Sequence, residues 1–552
     1  MQNKVVANIL NDISQIKKAL GANKFSVSAY KKASIFVENL PTPIESIDIE
    51  NTKGIGPKIA THIREFLQTG KIQFVEDNQH LLSSVPKQSQ LTVVEGIGEK
   101  TAQKIEEQGI LTVDDLKKAL EENQLNQIFG EKTILQIKKG IEYIEKTRGR
   151  IRLDQGITLA TKIYSYMKPF VNRMEFCGSL RRSKETIGDI DIAITSNQNA
   201  LQKFMELSIV DEVIDSGSKK VSVWMDGVRV DCYLFEPEYF ESGVMHLTGS
   251  AEHNERLRAI AKSKGWILSQ YGLYVRGEDD KRTDERIDDG TEIGIYRALG
   301  FEFIPPEHRD DPREFHKYQL GKTVSLLTNN DITADWHVHS TYSDSKSTIE
   351  DNIKFAIQKG LTTIAICDHS EHLKIANGLT IERLIQRNLE INALQLKYPQ
   401  IKILKGMEVE IRSDGSLDYP DDVLDSLDFV IAALHVRSQK DVTEIYKNVI
   451  RSGKVHSIAH LTGRMINERD GHIVNVEEVL QECKLYNVAI ELNCSPKRLD
   501  VDEKILKRCK ALGIKITFGS DAHEKSQISY VKSFGLWIAK RAWLTKEDLY
   551  EK

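Results

Sequence analysis

The chain contains 552 residues, more than one hydrophobic core organises, so we expect several domains. Hydrophobic residues make up 40% and charged residues 28%, which excludes an intrinsically disordered protein. No apolar run approaches the roughly 20 residues that cross a bilayer, so we expect no membrane partner. The formal charge of −5 excludes a uniformly basic surface, so any binding of nucleic acid must come from local features. The six cysteines form no CxxC pair, which indicates reduced thiols in a cytoplasmic protein.

The first 150 residues show a nearly continuous helical periodicity that glycine and proline interrupt. We predict helices at 5–20, 26–39, 59–68, 101–107 and 113–121. Two loops, GIGPK at 54–58 and GIGEK at 96–100, share one pattern. Glycines in such loops permit tight turns that present backbone N–H groups at a helix N-terminus to a phosphate, and a lysine adds charge. The predicted DNA-binding residues are Gly54, Gly56, Lys58, Gly96, Gly98 and Lys100, although a glycine-turned helical hairpin without a ligand is the alternative.

Strand-length apolar runs follow between residues 151 and 235, namely RMEFCGSL, DIDIAIT, VSVWMDGV and RVDCYLF. Asp189 and Asp191 are two residues apart on one predicted strand, so their carboxylates face the same side. Adjacent carboxylates repel each other unless divalent cations bridge them, and Asp231 on a second strand could supply a third ligand. Ser179 and Arg182 could hold triphosphate oxygens. An isolated acidic pair is usually only solvated, but the flanking GSLRR and RVD sequences favour a nucleotidyltransferase site.

Residues 1 to about 317 resemble the family X DNA polymerases, the group of DNA polymerase beta. The resemblance implies gap-filling synthesis on gapped or primer-template DNA from dNTPs, with catalytic Asp189, Asp191 and Asp231 holding Mg²⁺, or Mn²⁺ in its place. It assigns Arg258 to the DNA near the nascent base pair, and Pro305 and Pro306 to the family's closing segment. The implied nucleotide-binding residues are Ser179, Arg182, Gly188, His246, Leu247, Gly249 and Asn254.

Two positions depart from that family. His62 stands where the family's 5′-deoxyribose phosphate lyase has a lysine, and imidazole does not ordinarily replace an amine that forms a Schiff base. We therefore expect no lyase activity. Leu247 stands where an aromatic residue is common, so discrimination between sugars is left open.

Seven short apolar runs alternate with helical patterns after residue 332, which predicts a parallel sheet with crossover helices, arranged as a barrel of seven strands. Histidine, aspartate or glutamate ends nearly every run. A single such histidine is more often structural, but six histidines with three carboxylates at strand ends favour a centre of two or three Mn²⁺ or Zn²⁺ ions. The predicted ligands are His337, His339, Asp344, His369, Glu408, His435, His460, Asp521 and His523.

Residues 333–552 resemble the PHP (polymerase and histidinol phosphatase) domains, whose nine-ligand pattern maps onto those residues. Ser345 departs from the glycine that usually follows the loop aspartate, and Arg464 and Arg498 could hold phosphate or form surface ion pairs. Family X polymerase followed by PHP is the architecture of the bacterial PolX proteins. It implies base excision repair with a 3′→5′ exonuclease, or cleavage at abasic sites and blocked 3′ ends.

The expected architecture is multidomain, with α-helical hairpin domains, an α+β palm and thumb, and an α/β barrel. The expected domains are lyase-like 1–85, fingers-like 86–150, palm 151–235, thumb-like 236–317, linker 318–332 and PHP 333–552. We expect a monomer in the bacterial cytoplasm that associates with the nucleoid when on DNA. The alternatives are a PHP nuclease or phosphatase whose front end only binds DNA, and a non-enzymatic scaffold.

Overall fold

The computed structural model describes residues 2–20, 22–38, 44, 49, 52, 55–69, 71–78, 91, 94, 97, 99–106, 108–110, 113–121, 124–130, 133–138, 141, 150–196, 198–311, 313–435 and 440–551. Two compact units are present. The first comprises Met1–Arg182 and Thr186–Phe303, and the second comprises Ser183–Glu185 and Ile304–Lys552. Residues 304–317, which the sequence-based division gave to the thumb, therefore belong to the second unit. Among the described residues, no helix has the length and apolarity that crossing a membrane requires.

The helical front end confirms the predicted periodicity, with ends displaced by a few residues. Its helices are α1 Gln2–Ala19, α2 Lys24–Glu38, α3 Pro57–Thr69, α4 Gln73–Asn78, α5 Glu99–Glu106, α6 Val113–Glu121 and α7 at 133–138. Pro57 begins α3, where a missing backbone N–H costs nothing. Side chains at helical spacing form two separate cores, one around Leu10, Ala33 and Ile59 and the other around Ile105. Ile55 of the first glycine loop and Ile97 of the second therefore lie in separate small helical cores.

A five-stranded sheet forms the centre of the first unit, in the order β2-β4-β7-β6-β5. The strands are β1 Ile151–Arg152, β2 Arg173–Phe176, β3 Thr186–Ile187, β4 Asp189–Thr195, β5 Glu212–Ser216, β6 Lys220–Met225 and β7 Val228–Leu234. Only β4 and β7 pair in parallel within this sheet, and β1 pairs separately with β3. The predicted strand RMEFCGSL was wrong in its second half, since Gly178 has a positive φ of 61° and Gly178–Arg181 forms the short helix α9.

The remaining elements of the first unit lie before, between and after the strands of this sheet in sequence. The helices are α8 Leu153–Met167, α10 Ala200–Met205, α11 Phe240–Thr248, α12 Ala251–Ser263 and α13 Glu292–Leu299. A three-stranded antiparallel sheet contains β8 Trp266–Ser269, β9 Gly272–Arg276 and β10 Arg282–Arg286. Helix α11 packs against β4, which places the 246–249 segment beside the sheet.

The second unit confirms the predicted barrel of seven parallel strands. These are β11 Ala334–Val338, β12 Thr363–Ile366, β13 Lys402–Glu410, β14 Phe429–Ala433, β15 Ser457–Ile458, β16 Ala489–Asn493 and β17 Ile516–Gly519, paired in chain order. The sheet closes because the Asp521 amide donates to the His337 carbonyl oxygen at 2.9 Å and the His339 amide donates to that of Ala522 at 3.0 Å. The helices are α14 Glu314–Lys317, α15 Ile349–Gln358, α16 Ile381–Lys397, α17 Asp421–Asp425, α18 Thr443–Arg451, α19 Val476–Tyr486, α20 Glu503–Leu512 and α21 Phe534–Arg541.

The barrel interior is apolar below the mouth, with Trp336, Cys367, Phe429 and Ile431 packed together. All six cysteines of the chain are buried as free thiols, as predicted. Burial raises the pKa of the Cys367 thiol to about 12, so these cysteines remain protonated and serve as packing groups.

His308 attaches the segment before the barrel to the last helix of the second unit. Its Nδ1 lies 2.8 Å from the Tyr318 hydroxyl, its Nε2 lies 2.7 Å from the Lys540 carbonyl oxygen, and its ring stacks on Trp543 at 3.7 Å. Burial lowers the pKa of His308 to about 4, so the imidazole is neutral at pH 7 in the folded protein.

Acid should destabilise the second unit through His308. The unfolded imidazole takes up a proton near pH 6.5 and the folded one only near pH 4, so stability present above pH 6.5 is lost as the pH falls towards 4. Between roughly pH 7.5 and 5 we expect a loss of about 2 kcal/mol that His308→Gln does not show. Urea unfolding at each pH, with a chelator present, measures this loss of unfolding free energy. The control is His316→Gln, which substitutes an exposed histidine. Equal pH dependence of wild type and His308→Gln would contradict this assignment.

Candidate active sites

Three aspartates lie on one face of the sheet in the first unit. Asp189 and Asp191 are two residues apart on β4, and Asp191 is paired in register with Asp231 on β7. Ile190 and Ile192 between and beyond them are fully buried on the opposite face. The alternation of the strand therefore directs the carboxylates together, as the sequence predicted.

The charge state of these aspartates reflects their crowding. Burial, together with the charges of Asp189 and Asp231, raises the pKa of Asp191 to about 7. Burial also acts to raise the pKa of Asp231, but hydrogen bonds from Arg229 and Lys220 outweigh it and lower that pKa. The Arg229 Nε and the Lys220 Nζ each lie 2.9 Å from an Asp231 oxygen. The three carboxylates therefore require positive charge nearby, and Arg229 and Lys220 supply part of it.

The loop before β4 carries groups suited to a polyphosphate. A Cβ at Gly178 would lie 2.9 Å from an Asp191 oxygen, so only glycine permits this close approach. The Ser179 hydroxyl is buried without a hydrogen-bond partner among the described residues. The Arg182 guanidinium donates to the Thr248 carbonyl oxygen. A buried hydroxyl without a partner beside three carboxylates fits a site for a metal and an anionic ligand.

The segment after α11 brings the other predicted nucleotide-binding residues together. The Asn254 amide donates to the His246 carbonyl oxygen at 2.7 Å, which ties α12 to the end of α11. Burial and the charge of Arg258 lower the pKa of His246. Leu247 packs on the sheet core, and Gly249 has a φ of 67° where the chain leaves α11.

Two residues near the aspartates in sequence, Gly188 and Arg181, are closely approached by other side chains. A Cβ at Gly188 would come within 2.7 Å of the Arg150 guanidinium. The Arg181 guanidinium binds Glu292 through two contacts of 2.8 and 3.0 Å, and it donates to the Thr248 hydroxyl. Sequence reasoning missed this pair because no local signal joins residues 111 positions apart.

The first glycine loop is described in part. Gly56 approaches the palm so closely that a Cβ would clash with the Glu212 carboxylate, and Lys58 is exposed on the first turn of α3. Gly54, Gly96 and Gly98 lie outside the described residues, as does the side chain of Lys100. A helix start with an exposed lysine remains suited to a phosphate.

His62 lies among side chains from four helices. Its Nδ1 is 3.0 Å from the Tyr30 hydroxyl, and its ring stacks on Phe74 at 6.0 Å. The Lys17 amine lies 5.1 Å from the Tyr30 ring centroid and 5.6 Å from that of Phe74. Burial and the charge of Lys58 lower the pKa of Lys17. No pattern along the chain indicated that Lys17 would come close to His62.

The barrel mouth collects the predicted histidines and carboxylates. Asp344, His369 and His523 lie around His339; His337 and Asp521 form a second group with His339; and Glu408 and His435 form a third with His369. Within each group the potential ligand atoms lie within 4.8 Å of one another. The overlap of these groups fits a cluster of closely spaced ions rather than one ion.

Glu408 lies at the centre of the barrel mouth. One oxygen is 2.7 Å from His369 Nδ1, and the other is 3.0 Å from His460 Nε2 and 3.4 Å from His435 Nε2. His337 Nε2 is 3.5 Å from Glu408 and has no hydrogen-bond partner among the described residues. A fully buried imidazole nitrogen facing a carboxylate without such a bond fits a metal ligand.

The pKa values of the groups at the barrel mouth depend on their burial and on neighbouring charges. Burial, with the positive charge of His523 and His369, lowers the pKa of His339 to about 4. Burial opposes the rise at His523, yet its hydrogen bond to Asp344 and the charge of Asp521 raise that pKa to about 9. Burial likewise opposes the fall at Glu408, where surrounding imidazoles hold the pKa well below its usual range.

Further carboxylates orient these imidazoles from behind. Glu491 lies 2.7 Å from His337 Nδ1, and Glu410 lies 2.5 Å from His435 Nδ1. Their contacts direct Nε2 of each ring towards the mouth, as carboxylates behind metal-bound histidines commonly do. Sequence reasoning missed both glutamates, although Glu410 follows Glu408 by two residues on the same strand and shares its face.

Three further residues of the second unit have distinct positions. Asp368, which precedes a predicted ligand, is buried against Ser340 and Ser343 and does not face the mouth. Arg498 Nε lies 3.4 Å from Asp521, whereas Arg464 is paired with Glu185. Arg498 is therefore beside the site and Arg464 is engaged in an ion pair.

Models of known protein families match five stretches of the chain. Residues 1–72 match the helix-hairpin-helix domain, and residues 89–142 match the SAM-like helix-hairpin-helix tandem. Residues 155–260 match the DNA polymerase beta palm, residues 243–310 its thumb, and residues 335–495 the PHP domain. The DNA polymerase/3'-5' exonuclease PolX of Bacillus subtilis (strain 168) is 32% identical over 100% of this chain and 97% of its own length. The chain belongs to the PolX family.

Two further relatives each match one part of this PolX-family chain. DNA polymerase lambda of Arabidopsis thaliana is 28% identical over 343 residues, covering 56% of this chain and 62% of its own length. A protein of Thermoanaerobacter sp. (strain X514) named "Probable phosphatase" is 34% identical over 232 residues, covering 40% of this chain and 89% of its own. The two halves of the PolX architecture therefore have separate relatives.

The His62 environment predicts the outcome of a lyase assay. Wild-type protein should give no borohydride-trapped adduct with DNA that carries a 5′-deoxyribose phosphate. His62→Lys should introduce trapping, because a half-buried amine close to Lys17 and Lys58 would be partly deprotonated. Denaturing gels of the trapped complex measure it. A wild-type adduct that is lost in Lys17→Ala would contradict the prediction and identify Lys17 as the nucleophile.

Proposed function

We propose that this PolX-family chain fills short gaps in DNA during base excision repair and trims 3′ ends in its barrel. The name of the Bacillus subtilis relative, DNA polymerase/3'-5' exonuclease PolX, supports both activities over the full chain. The observation that carries the proposal is the presence of two complete acidic or imidazole constellations, one in each compact unit.

In the palm, we propose that Asp189, Asp191 and Asp231 hold Mg²⁺, with Mn²⁺ as a substitute. Bound Mg²⁺ would favour ionisation of a 3′-hydroxyl and neutralise charge on the leaving pyrophosphate. Ser179 has a hydroxyl without a partner to donate to a phosphate oxygen. Arg229 and Lys220 keep Asp231 ionised and in position.

Other palm and thumb residues would bind substrate rather than metal. Arg182, Gly188, His246, Leu247 and Gly249 are proposed to line the site of the incoming dNTP. Asn254 would lie beside the sugar and base, and Arg258 would contact template DNA. The support is the hydrogen bond between Asn254 and His246 at the end of α11, the hydrogen bond from Arg182 to Thr248, and the match of these residues to the palm and thumb.

In the barrel, we propose that the nine predicted residues hold two or three Mn²⁺ or Zn²⁺ ions. Ions bound there would supply an activated water and polarise a phosphodiester. Glu491 and Glu410 orient His337 and His435, and Arg498 is placed to bind a phosphate oxygen. The polar mouth therefore suits hydrolysis of a 3′-terminal phosphodiester.

The family implies a DNA partner, which we propose to be gapped or primer-template DNA bound by a monomer. The bacterial relative supports a location in the cytoplasm and on the nucleoid. A second candidate function is a PHP phosphatase or nuclease whose front end only binds DNA. The 34% identity over 232 residues to a protein named "Probable phosphatase" favours it, whereas the complete aspartate triad favours the polymerase.

Separate substitutions should separate the two activities. Asp189→Ala should lower primer extension on one-nucleotide gapped DNA by roughly 1,000-fold or more, since a lost metal ligand costs about 4 kcal/mol of transition-state stabilisation, while 3′-end degradation continues. His339→Ala should do the reverse. Gel assays with Mg²⁺ and Mn²⁺ measure both, and the exposed Asp215→Ala on β5 is the control. Loss of both activities in either folded variant would refute two independent sites, and wild-type degradation without nucleotide incorporation would favour the phosphatase or nuclease.

The first glycine loop should contribute to DNA affinity through phosphate. Lys58→Glu should weaken binding of gapped DNA and reduce the slope of log K against log salt by about 1, because one phosphate contact is lost. Fluorescence anisotropy across a salt series measures this effect. Lys118→Glu, at an exposed position of α6, makes the same charge change as a control. An unchanged slope in Lys58→Glu would show that the loop does not bind phosphate.

A further inference from the structure

A cavity of about 510 Å³ lies in the second unit beside the barrel. The segment that leads into the barrel, helix α20 and the residues after α21 line it, and none of the nine proposed metal ligands does. We refer to it as the basic cavity because of its lining side chains Arg313, His316, Lys317, Lys322, Lys507 and Lys510.

Three of these cations have carboxylate partners. Asp311 lies 2.8 Å from Arg313 and 3.0 Å from Lys507, and Asp548 lies 2.8 Å from Lys510. Two carboxylates thus serve three cations. Pairing of this kind reduces the positive potential but does not cancel it.

The other two lysines of the basic cavity, Lys317 and Lys322, account for its excess of positive charge. Lys317 and Lys322 are exposed, and neither has a carboxylate within ion-pair distance in the part of the chain that the structure describes. Lys322 Nζ donates to the His316 carbonyl oxygen at 3.0 Å. Glu503 lies 3.8 Å from Lys507, but it binds Arg541 more closely at 2.5 Å. In a chain with a net charge of −5, this local excess of positive charge favours an anion.

The aromatic residue of the cavity decides which part of a nucleic acid would bind. Trp543 is stacked on His308 at 3.7 Å, and the Arg313 guanidinium carbon lies 6.0 Å from its ring centroid. An indole occupied in this way does not offer the open face on which a base stacks. Thr323 and Ser325 add hydroxyl groups to the lysines, and such groups contact phosphate and sugar.

We propose that the basic cavity binds the phosphodiester backbone of single-stranded DNA and holds the strand on the PHP unit. The cavity is small, which suits one strand, and its cations read charge rather than base sequence. The purpose of such a site, retention of a 3′ strand for degradation, rests on the proposed exonuclease. The binding itself needs no metal ion at the barrel mouth.

The test uses the full chain in EDTA, so that cleavage cannot occur. Anisotropy of a fluorescent oligothymidine is followed across a salt series for wild type and for the double variant Lys317→Glu, Lys322→Glu. We expect affinity to fall about tenfold near 0.1 M salt and the salt slope to decrease by about 1.4, or roughly 0.7 for each lost phosphate contact. The control, Lys359→Glu with Lys402→Glu, substitutes two exposed lysines elsewhere on the barrel. Each Lys→Glu substitution lowers the net charge by 2, so each double variant changes it from −5 to −9.

Several results would overturn the proposal. Unchanged binding in the cavity variant, or an equal loss in the control, would show that no specific contact exists. Competition by inorganic phosphate or dAMP below about 1 mM would instead indicate a mononucleotide site. Protection of Lys317 and Lys322 of the wild-type protein from amine acetylation by DNA, with Lys359 and Lys402 unprotected, would support it without any variant. If the wild-type protein shows no exonuclease activity while DNA still protects Lys317 and Lys322 from acetylation, the proposed function is refuted and the cavity remains a DNA-binding site.

Discussion

A buried carboxylate is stable only where positive charge or hydrogen bonds surround it, and this requirement organises both candidate sites. Glu408 is enclosed by His337, His369, His435 and His460 at the barrel mouth. The imidazoles hold its pKa far below the usual value against the cost of burial. Because the strands are parallel, their carboxyl ends bring these side chains to one edge from distant parts of the chain. The same arrangement that satisfies Glu408 gathers imidazole and carboxylate groups of the kind that bind divalent cations.

The palm meets the same requirement with a different architecture. Parallel pairing of β4 with β7 places Asp191 opposite Asp231 in a sheet that is otherwise antiparallel. Lys220 and Arg229 compensate Asp231, whereas Asp191 has a raised pKa beside Asp189 and Asp231. Cations bound beside these aspartates would remove this charge imbalance. In both units, the fold gathers negative charge that the protein alone only partly neutralises.

The sequence was sufficient where the chemistry is local and periodic. Strand geometry alone was enough to place Asp189 and Asp191 on one face and to bring together the histidines and carboxylates of the barrel strand ends. Residues that support the sites were missed, since their partners are distant in sequence. Glu491 meets His337 across 154 positions. The helix α9 was also missed, because the positive φ of Gly178 turns an apolar run that otherwise indicates a strand. Such contacts depend on tertiary packing, which periodicity does not encode.

Anomalous diffraction from crystals soaked in Mn²⁺ would test the central claim most directly. Two spatially separate sets of anomalous peaks are expected, one bounded by Asp189, Asp191 and Asp231 and the other by Glu408 and its surrounding imidazoles. Aspartates that bind no ion while the barrel does would contradict the account of the palm. Peaks absent from the barrel mouth, with its histidines hydrogen-bonded only to one another and to carboxylates, would contradict the account of the second site.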